Sequence, residues 1–162
     1  MDRNRLLPAI HSAMRIGAAV VRTLPNTVPD PVVPPADGLE WRELVKAAGL
    51  AVTLHDIVAD LWKRGIPVVP LDVLPGASFQ AIACIVERRP VILLGYKHDE
   101  PGRAAYLVAH EVGHVVAGDC APDRPVVDEE EAITDDADIE CRAYKYGTRF
   151  LIGGDTVPEV AN

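Results

Sequence analysis

The chain has 162 residues, 49% of them hydrophobic and 25% charged, a balance that is typical of one globular domain and excludes a disordered chain. Sixteen Lys and Arg residues against 24 Asp and Glu residues give a formal net charge of −8 at pH 7, which argues against direct binding of nucleic acid. Three cysteines form no disulfide framework and no apolar run suits a bilayer, so we expect a cytoplasmic protein without a membrane segment.

The N-terminal part predicts a helix followed by a linker. Apolar residues recur at helical spacing on one face of residues 1–24, at Leu6, Ile10, Met14, Gly17 and Val21. Residues 25–38 contain five prolines, which fix φ and lack the backbone N–H, so we expect extended chain there. The predicted organisation is an N-terminal helix (1–24), a proline-rich linker (25–38) and a main domain (39–162).

The main domain opens with two predicted helices, LEWRELVKAAG and LHDIVADLWKRG. Asp37 and Thr53 are suited to N-cap them, and Gly49 and Gly65 to end them. Asp56 stands three residues after Thr53, the spacing of a capping box.

Three short β-branched runs follow and predict strands: IPVVPLDVL, SFQAIACIVE and PVILLGY. Residues 87–90 would form the turn of a hairpin between the last two. A long helix is predicted from Pro101, the N1 residue, to the C-terminal stop at Gly118. Residues 121–138 are acidic, and we predict an irregular segment. The last predicted helix, ADIECRAYKYGTRFLI, has an apolar face made by Ile139, Ala143, Tyr146 and Phe150.

The long helix contains the pattern H-E-x-x-H at residues 110–114. Positions i and i+4 lie on the same helix face, so His110 and His114 can bind one Zn²⁺ at about 2.0–2.1 Å per nitrogen. Glu111 is then suited to take a proton from metal-activated water, as a catalytic base. Two core histidines in a buried helix are the alternative, but one metal ion satisfies all three polar groups together.

A catalytic zinc has three protein ligands and one open position, so a third ligand is required. One alternative is the chain just after the helix, where Asp119 and Cys120 stand. The other is Glu140 on the last helix, close to the small Ala143. Residue spacing leaves this choice open, since other acids compete in the same region: Asp135, Asp136 and Asp138.

Four further residues are weaker candidates for a role. Tyr144, one turn after Glu140, and His98, before the long helix, could each stabilise an oxyanion or donate a proton. Arg103 could bind a substrate carboxylate. Gly113 costs about 1 kcal/mol in mid-helix relative to alanine, which indicates close approach of either a substrate backbone or another helix. The run of acids at residues 129–131 is a solvated segment or a docking surface for a basic partner.

Three stretches resemble the ImmA/IrrE family of zinc metallopeptidases: LHDIVADLWKRGIPVVPLD, RAAYLVAHEVGHVVAG and ECRAYKYGTRFLI. Tyr146 and Gly147 stand where the family has Phe and Ala in its last motif. The resemblance covers residues 39–153 and implies a compact zincin-like α+β domain, with a small antiparallel sheet packed against the H-E-x-x-H helix. It also implies that Glu140 is the third zinc ligand, and that a helix-turn-helix repressor is the partner that contacts DNA.

These observations predict an intracellular zinc-dependent endopeptidase of narrow specificity that acts on a repressor or another regulatory protein. A metal-stabilised binding module that regulates a repressor by contact alone is the main alternative. Glu111 separates the two, because binding requires no general base. A metal-dependent hydrolase of a non-peptide amide is a third hypothesis. The oligomeric state is left open.

Overall fold

Five helices and four strands are present in the described part of the chain, which comprises residues 3–71, 79–95, 100–122, 124–129 and 137–154 of a computed structural model. This mixed content confirms the α+β class. In chain order the elements are α1 (Arg3–Thr23), α2 (Gly38–Ala47), α3 (Leu54–Lys63), β1 (Val68–Pro70), β2 (Phe79–Val86), β3 (Arg89–Leu94), α4 (Pro101–Ala117), β4 (Val126–Glu129) and α5 (Ala137–Ile152). None of the helices described is both long and apolar enough to cross a membrane.

The four strands form one sheet in the order β1-β3-β2-β4. β2 pairs antiparallel with both β3 and β4, but β1 pairs parallel with β3, with Val69 opposite Leu93. The prediction of an antiparallel sheet is therefore wrong for the pairing of β1. The reason is topological, because β1 adds to the outer edge of β3 instead of pairing with the next strand along the chain. A local residue pattern does not specify that edge.

The predicted hairpin turn lies between β2 and β3. Glu87 and Arg88 have φ values of 48° and 70°, the left-handed conformation that both central residues of a two-residue type I′ turn require. The strand β4 was not predicted. Its backbone is paired with Ile82 and Ala83 of β2, so its extended conformation depends on a distant partner. The prediction of irregular chain is wrong for these four residues, and residues 130–136 lie outside the described part.

The helix caps are largely as predicted. The Asp37 carboxylate accepts from the Leu39 N–H at 2.9 Å, and the Thr53 hydroxyl accepts from the Asp56 N–H at 3.3 Å. Asp56 does not complete the capping box in the expected way, because its carboxylate accepts from the N–H of Ala51 instead of Thr53. It thereby holds the chain just before α3.

The sheet has an apolar core on each face. Residues alternate along β3, with Ile92 and Leu94 in the core under α2 to α5, and Val91 and Leu93 in the core under α1. α1 packs closely, since a Cβ on Gly17 would lie 3.3 Å from Leu93. Three residues of its predicted apolar face are partly buried in the same core: Ile10, Met14 and Val21. The Leu6 side chain is not among those that the structure describes.

The proline-rich segment is fastened to the body of the protein. The Val32 N–H donates to the Arg64 carbonyl at 2.8 Å, and the Tyr146 hydroxyl donates to the Pro35 carbonyl at 3.0 Å. Arg149 of α5 holds the Asp37 carboxylate through two bonds of 2.8 and 2.9 Å. The segment therefore follows the surface of α3 and α5 until α2 begins.

Candidate metal centre

The helix α4 carries the H-E-x-x-H residues into the core. Pro101 opens it, and Gly118 ends it in the left-handed conformation at φ 75°. Between them, Ala and Val side chains pack against the sheet and α5. His110 is 6% exposed, and Glu111 and His114 are fully buried. Polar groups at this depth are costly unless they are paired or bind a metal.

Glu140 meets the two histidines from the first turn of α5. The His110 Nε2 lies 3.2 Å from Glu140 Oε2 and 3.1 Å from His114 Nε2, and His114 Nε2 lies 3.6 Å from Glu140 Oε1. A tetrahedral ion with bonds of 2.0–2.1 Å separates its ligand atoms by about 3.3–3.4 Å. The two imidazole nitrogens lie 3.1 Å apart, and each lies 3.2–3.6 Å from an oxygen of the Glu140 carboxylate, which is close to that spacing, so this group could hold a metal ion.

Glycines bring the two helices close enough for this arrangement. A Cβ on Gly113 would lie 2.9 Å from the Ala143 Cα, and a Cβ on Gly147 would lie 3.2 Å from the His110 nitrogen. The close approach at Gly113 is thus explained by packing of α4 against α5, the second of the two explanations drawn from the sequence. Small residues at this crossing allow Glu140 to reach the histidines.

Charge states in the group are suited to metal binding. Burial, more than any other cause, lowers the pKa of His114, which favours the neutral imidazole. The hydrogen bond with His110 is the largest cause that lowers the pKa of Glu140, which favours the carboxylate. Imidazole and carboxylate together form a nitrogen–oxygen donor set of the kind that Zn²⁺ accepts in catalytic sites.

Asp119 contacts the group from outside. Its Oδ2 lies 3.1 Å from His114 Nδ1, and its Oδ1 accepts from the Arg142 guanidinium at 3.1 Å. A proton on Nδ1 that is donated to Asp119 leaves the Nε2 lone pair directed at the other ligand atoms. The chain turns at Gly118 and so brings Asp119 back to the helix end. Asp119 is therefore a partner of a ligand, not one of the three grouped ligand residues.

Neither alternative third ligand belongs to the group found among the described residues. Burial first, and the charge of Glu111 second, raise the pKa of the Cys120 thiol to about 12. A thiol in that state is protonated and uncharged at neutral pH. Asp138 is exposed and outside the group, and Asp135 and Asp136 lie outside the described residues.

Glu111 lies on the flank of α4 near β2. Burial first, and the Glu111 charge second, raise the pKa of the Cys84 thiol in β2 to about 12. In the preceding residue, His110, the buried Nδ1 has no hydrogen-bond partner among the described residues. The two histidines thus differ, since only His114 is held at its second ring nitrogen.

Aromatic rings lie beside the group. The Tyr106 ring centroid is 5.9 Å from that of His110 and 6.2 Å from that of Tyr144, which is 49% exposed. Tyr106 was missed in the sequence, although its position four residues before His110 puts it on the same helix face. Arg103 donates to the Gln80 side chain of β2 at 2.9 Å. His98 lies outside the described residues.

No protein-family model matches the chain, and no curated protein matches it. Inference about function therefore depends on the donor set, its geometry and its surroundings.

Proposed function

We propose that this protein is an intracellular zinc-dependent endopeptidase of narrow specificity, acting on a regulatory protein such as a helix-turn-helix repressor. The observation that carries the proposal is that His110 Nε2, His114 Nε2 and the Glu140 carboxylate lie within 3.1–3.6 Å of one another, with Glu111 directly after the first histidine. Three protein ligands leave the fourth position for water or substrate, as a catalytic zinc requires. The motifs similar to the ImmA/IrrE family agree with this activity and suggest the repressor.

In the proposed mechanism His110, His114 and Glu140 hold the zinc ion. When bound, the ion supplies Lewis-acid activation of water and of the scissile carbonyl. Glu111 accepts the proton that water loses during attack and passes it to the leaving amine. Asp119 keeps His114 in the tautomer that presents Nε2. Tyr144, whose ring centroid lies 6.2 Å from that of Tyr106, would donate a hydrogen bond to the developing oxyanion.

Glu111→Gln tests the catalytic role directly. Glutamine preserves size but cannot accept the proton, so zinc content and fold are expected to be retained while cleavage falls by roughly two to four powers of ten. Zinc-loaded protein is incubated with helix-turn-helix repressors from the same organism and with a peptide library, and cleavage products are identified by mass spectrometry. Glu43→Gln, an exposed change on α2, is the matched control and should cleave as wild type does.

Absence of cleavage by the wild-type protein, together with equal relief of repression in cells by wild type and Glu111→Gln, would contradict the peptidase proposal. That result would favour regulation by contact alone. If cleavage persisted undiminished in Glu111→Gln, Glu111 would not be the catalytic base, although the protein would still be a hydrolase.

A further inference from the structure

A surface cavity of about 370 Å³ lies between α4, α5 and the end of the proline-rich segment. None of the described residues that line it is a ligand of the metal centre. Its lining residues from α4 are small or apolar, and those from α5 are mostly basic. The lining includes Gly113, Val116 and Ala117 of α4, and Arg142, Lys145 and Arg149 of α5.

The basic side chains form one row along α5. Arg142, Lys145 and Arg149 stand at positions i, i+3 and i+7, which lie on the same side of a helix and span about 10 Å of its axis. Asp37 is the acid in the cavity lining. Asp119, outside the lining, pairs with Arg142, so three cations face two anions and leave one positive charge in excess, in a chain whose formal net charge is −8. The cavity is therefore a local site of attraction for anions.

Two residues of the row, Lys145 and Arg142, have capacity for further anionic groups. Lys145 is exposed and makes no ion pair within the part of the chain that is described. Arg142 donates to Asp119, which uses one of the five N–H donors of a guanidinium. Arg149 is held by Asp37, so its position is fixed at the far end of the row.

We propose that this cavity is a docking site for an acidic peptide segment of a partner protein, with glutamate or aspartate residues alternating with apolar ones. The spacing favours a peptide over a single small anion. Arg142 and Lys145 are separated by about 4.5 Å along the helix axis, and their flexible side chains can reach two carboxylates about 6.6 Å apart, the separation of side chains at i and i+2 of an extended peptide. The intervening apolar side chain would lie on Val116 and Ala117. The proposal does not depend on the peptidase function.

The test uses fluorescein-labelled octapeptides in which Leu alternates with Glu, Gln or Lys. Fluorescence anisotropy with the full chain should show binding of the Glu peptide, weakened by added salt, and little binding of the other two. Lys145→Glu should weaken the affinity for the Glu peptide by at least about tenfold, since it converts an attraction into a repulsion. Lys63→Glu makes the same charge change on α3, outside the cavity, and should alter affinity less than about twofold. Glu111→Gln should bind the peptide as wild type does.

Several results would overturn the proposal. Equal binding of the Gln peptide would mean that apolar contact, not charge, drives association. Equal binding by wild type and Lys145→Glu would locate the peptide elsewhere. No binding of the Glu peptide at millimolar concentration would reject an acidic segment as the occupant. Ala117→Phe is a second test variant. It places a large ring on the apolar α4 side of the cavity, at an exposed position, and should block binding of the Glu peptide without any change of charge.

Discussion

At the scale of single residues, His110 and His114 have different surroundings, which gives Asp119 a specific role. Asp119→Ala removes the acceptor from His114 Nδ1, and loss of such a partner typically lowers metal affinity by about 10–100-fold. Asp119→Asn keeps an acceptor oxygen and should lose less. Zinc affinity is measured by competition with a chelator, and melting of the metal-free variants is measured beside it. If Asp119→Ala lowered the melting temperature of the metal-free protein but left its zinc affinity unchanged, Asp119 would be a purely structural residue.

A matched pair of substitutions distinguishes the role of Glu140 from that of a neighbouring acid. Glu140→Ala is expected to lower zinc content sharply, because it removes one of three ligands, whereas Asp138→Ala changes an exposed acid on the same helix turn and should have no effect. Cys120→Ser should retain zinc fully. Plasma mass spectrometry measures the zinc content of all three variants. Undiminished zinc in Glu140→Ala would remove Glu140 from the site.

At the scale of elements, the contact between α4 and α5 determines whether the ligands meet. Gly113→Ala gains about 1 kcal/mol in helix propensity, but its Cβ would lie 2.9 Å from the Ala143 Cα, and overpacking of this kind costs about 1–3 kcal/mol. We expect a net loss of stability of up to about 2 kcal/mol and weaker zinc binding, because the helices move apart.

Gly102→Ala is the control for that substitution. Gly102 lies in the first turn of the same helix, and a Cβ there would meet nothing within 4 Å. Its stability should be unchanged or slightly increased. Thermal melting and zinc titration of both variants check the expectation. Equal stability and affinity of Gly113→Ala and wild type would show that the helix contact tolerates a methyl group.

The elements that sequence predicted well are those with local signals. α4 has a proline at its start, a left-handed glycine at its end and apolar residues between, so its bounds follow from nearby residues alone. The strand β4 and the parallel pairing of β1 depend on partners distant in the chain, and no local pattern specifies them. The same distinction holds in the site. One helix turn relates His110 to His114, whereas Glu140 reaches them only through tertiary packing at Gly113 and Gly147.

At the scale of the whole molecule, the sheet separates two apolar cores, and the metal group lies on the side of α2 to α5. α5 closes this side. Trp41 of α2 stacks on Phe150 with ring centroids 3.9 Å apart, and Arg42 donates to the carbonyls of Phe150 and Leu151. A metal ion held by both α4 and α5 would add a further link between the last helix and the rest of the fold.

Metal removal should therefore lower the stability of the whole domain. An ion that binds only the folded state stabilises it by RT ln(1 + [L]/Kd), about 4 kcal/mol at a thousandfold excess over Kd. In a domain of this size each kcal/mol shifts the melting temperature by roughly 2–4 °C, so chelation should lower it by roughly 8–16 °C. The doubly substituted His110→Ala, His114→Ala protein is the control, since a chelator should leave its melting temperature unchanged. If verified removal of zinc from the wild-type protein left the melting temperature where it was, the site would not couple α5 to the fold.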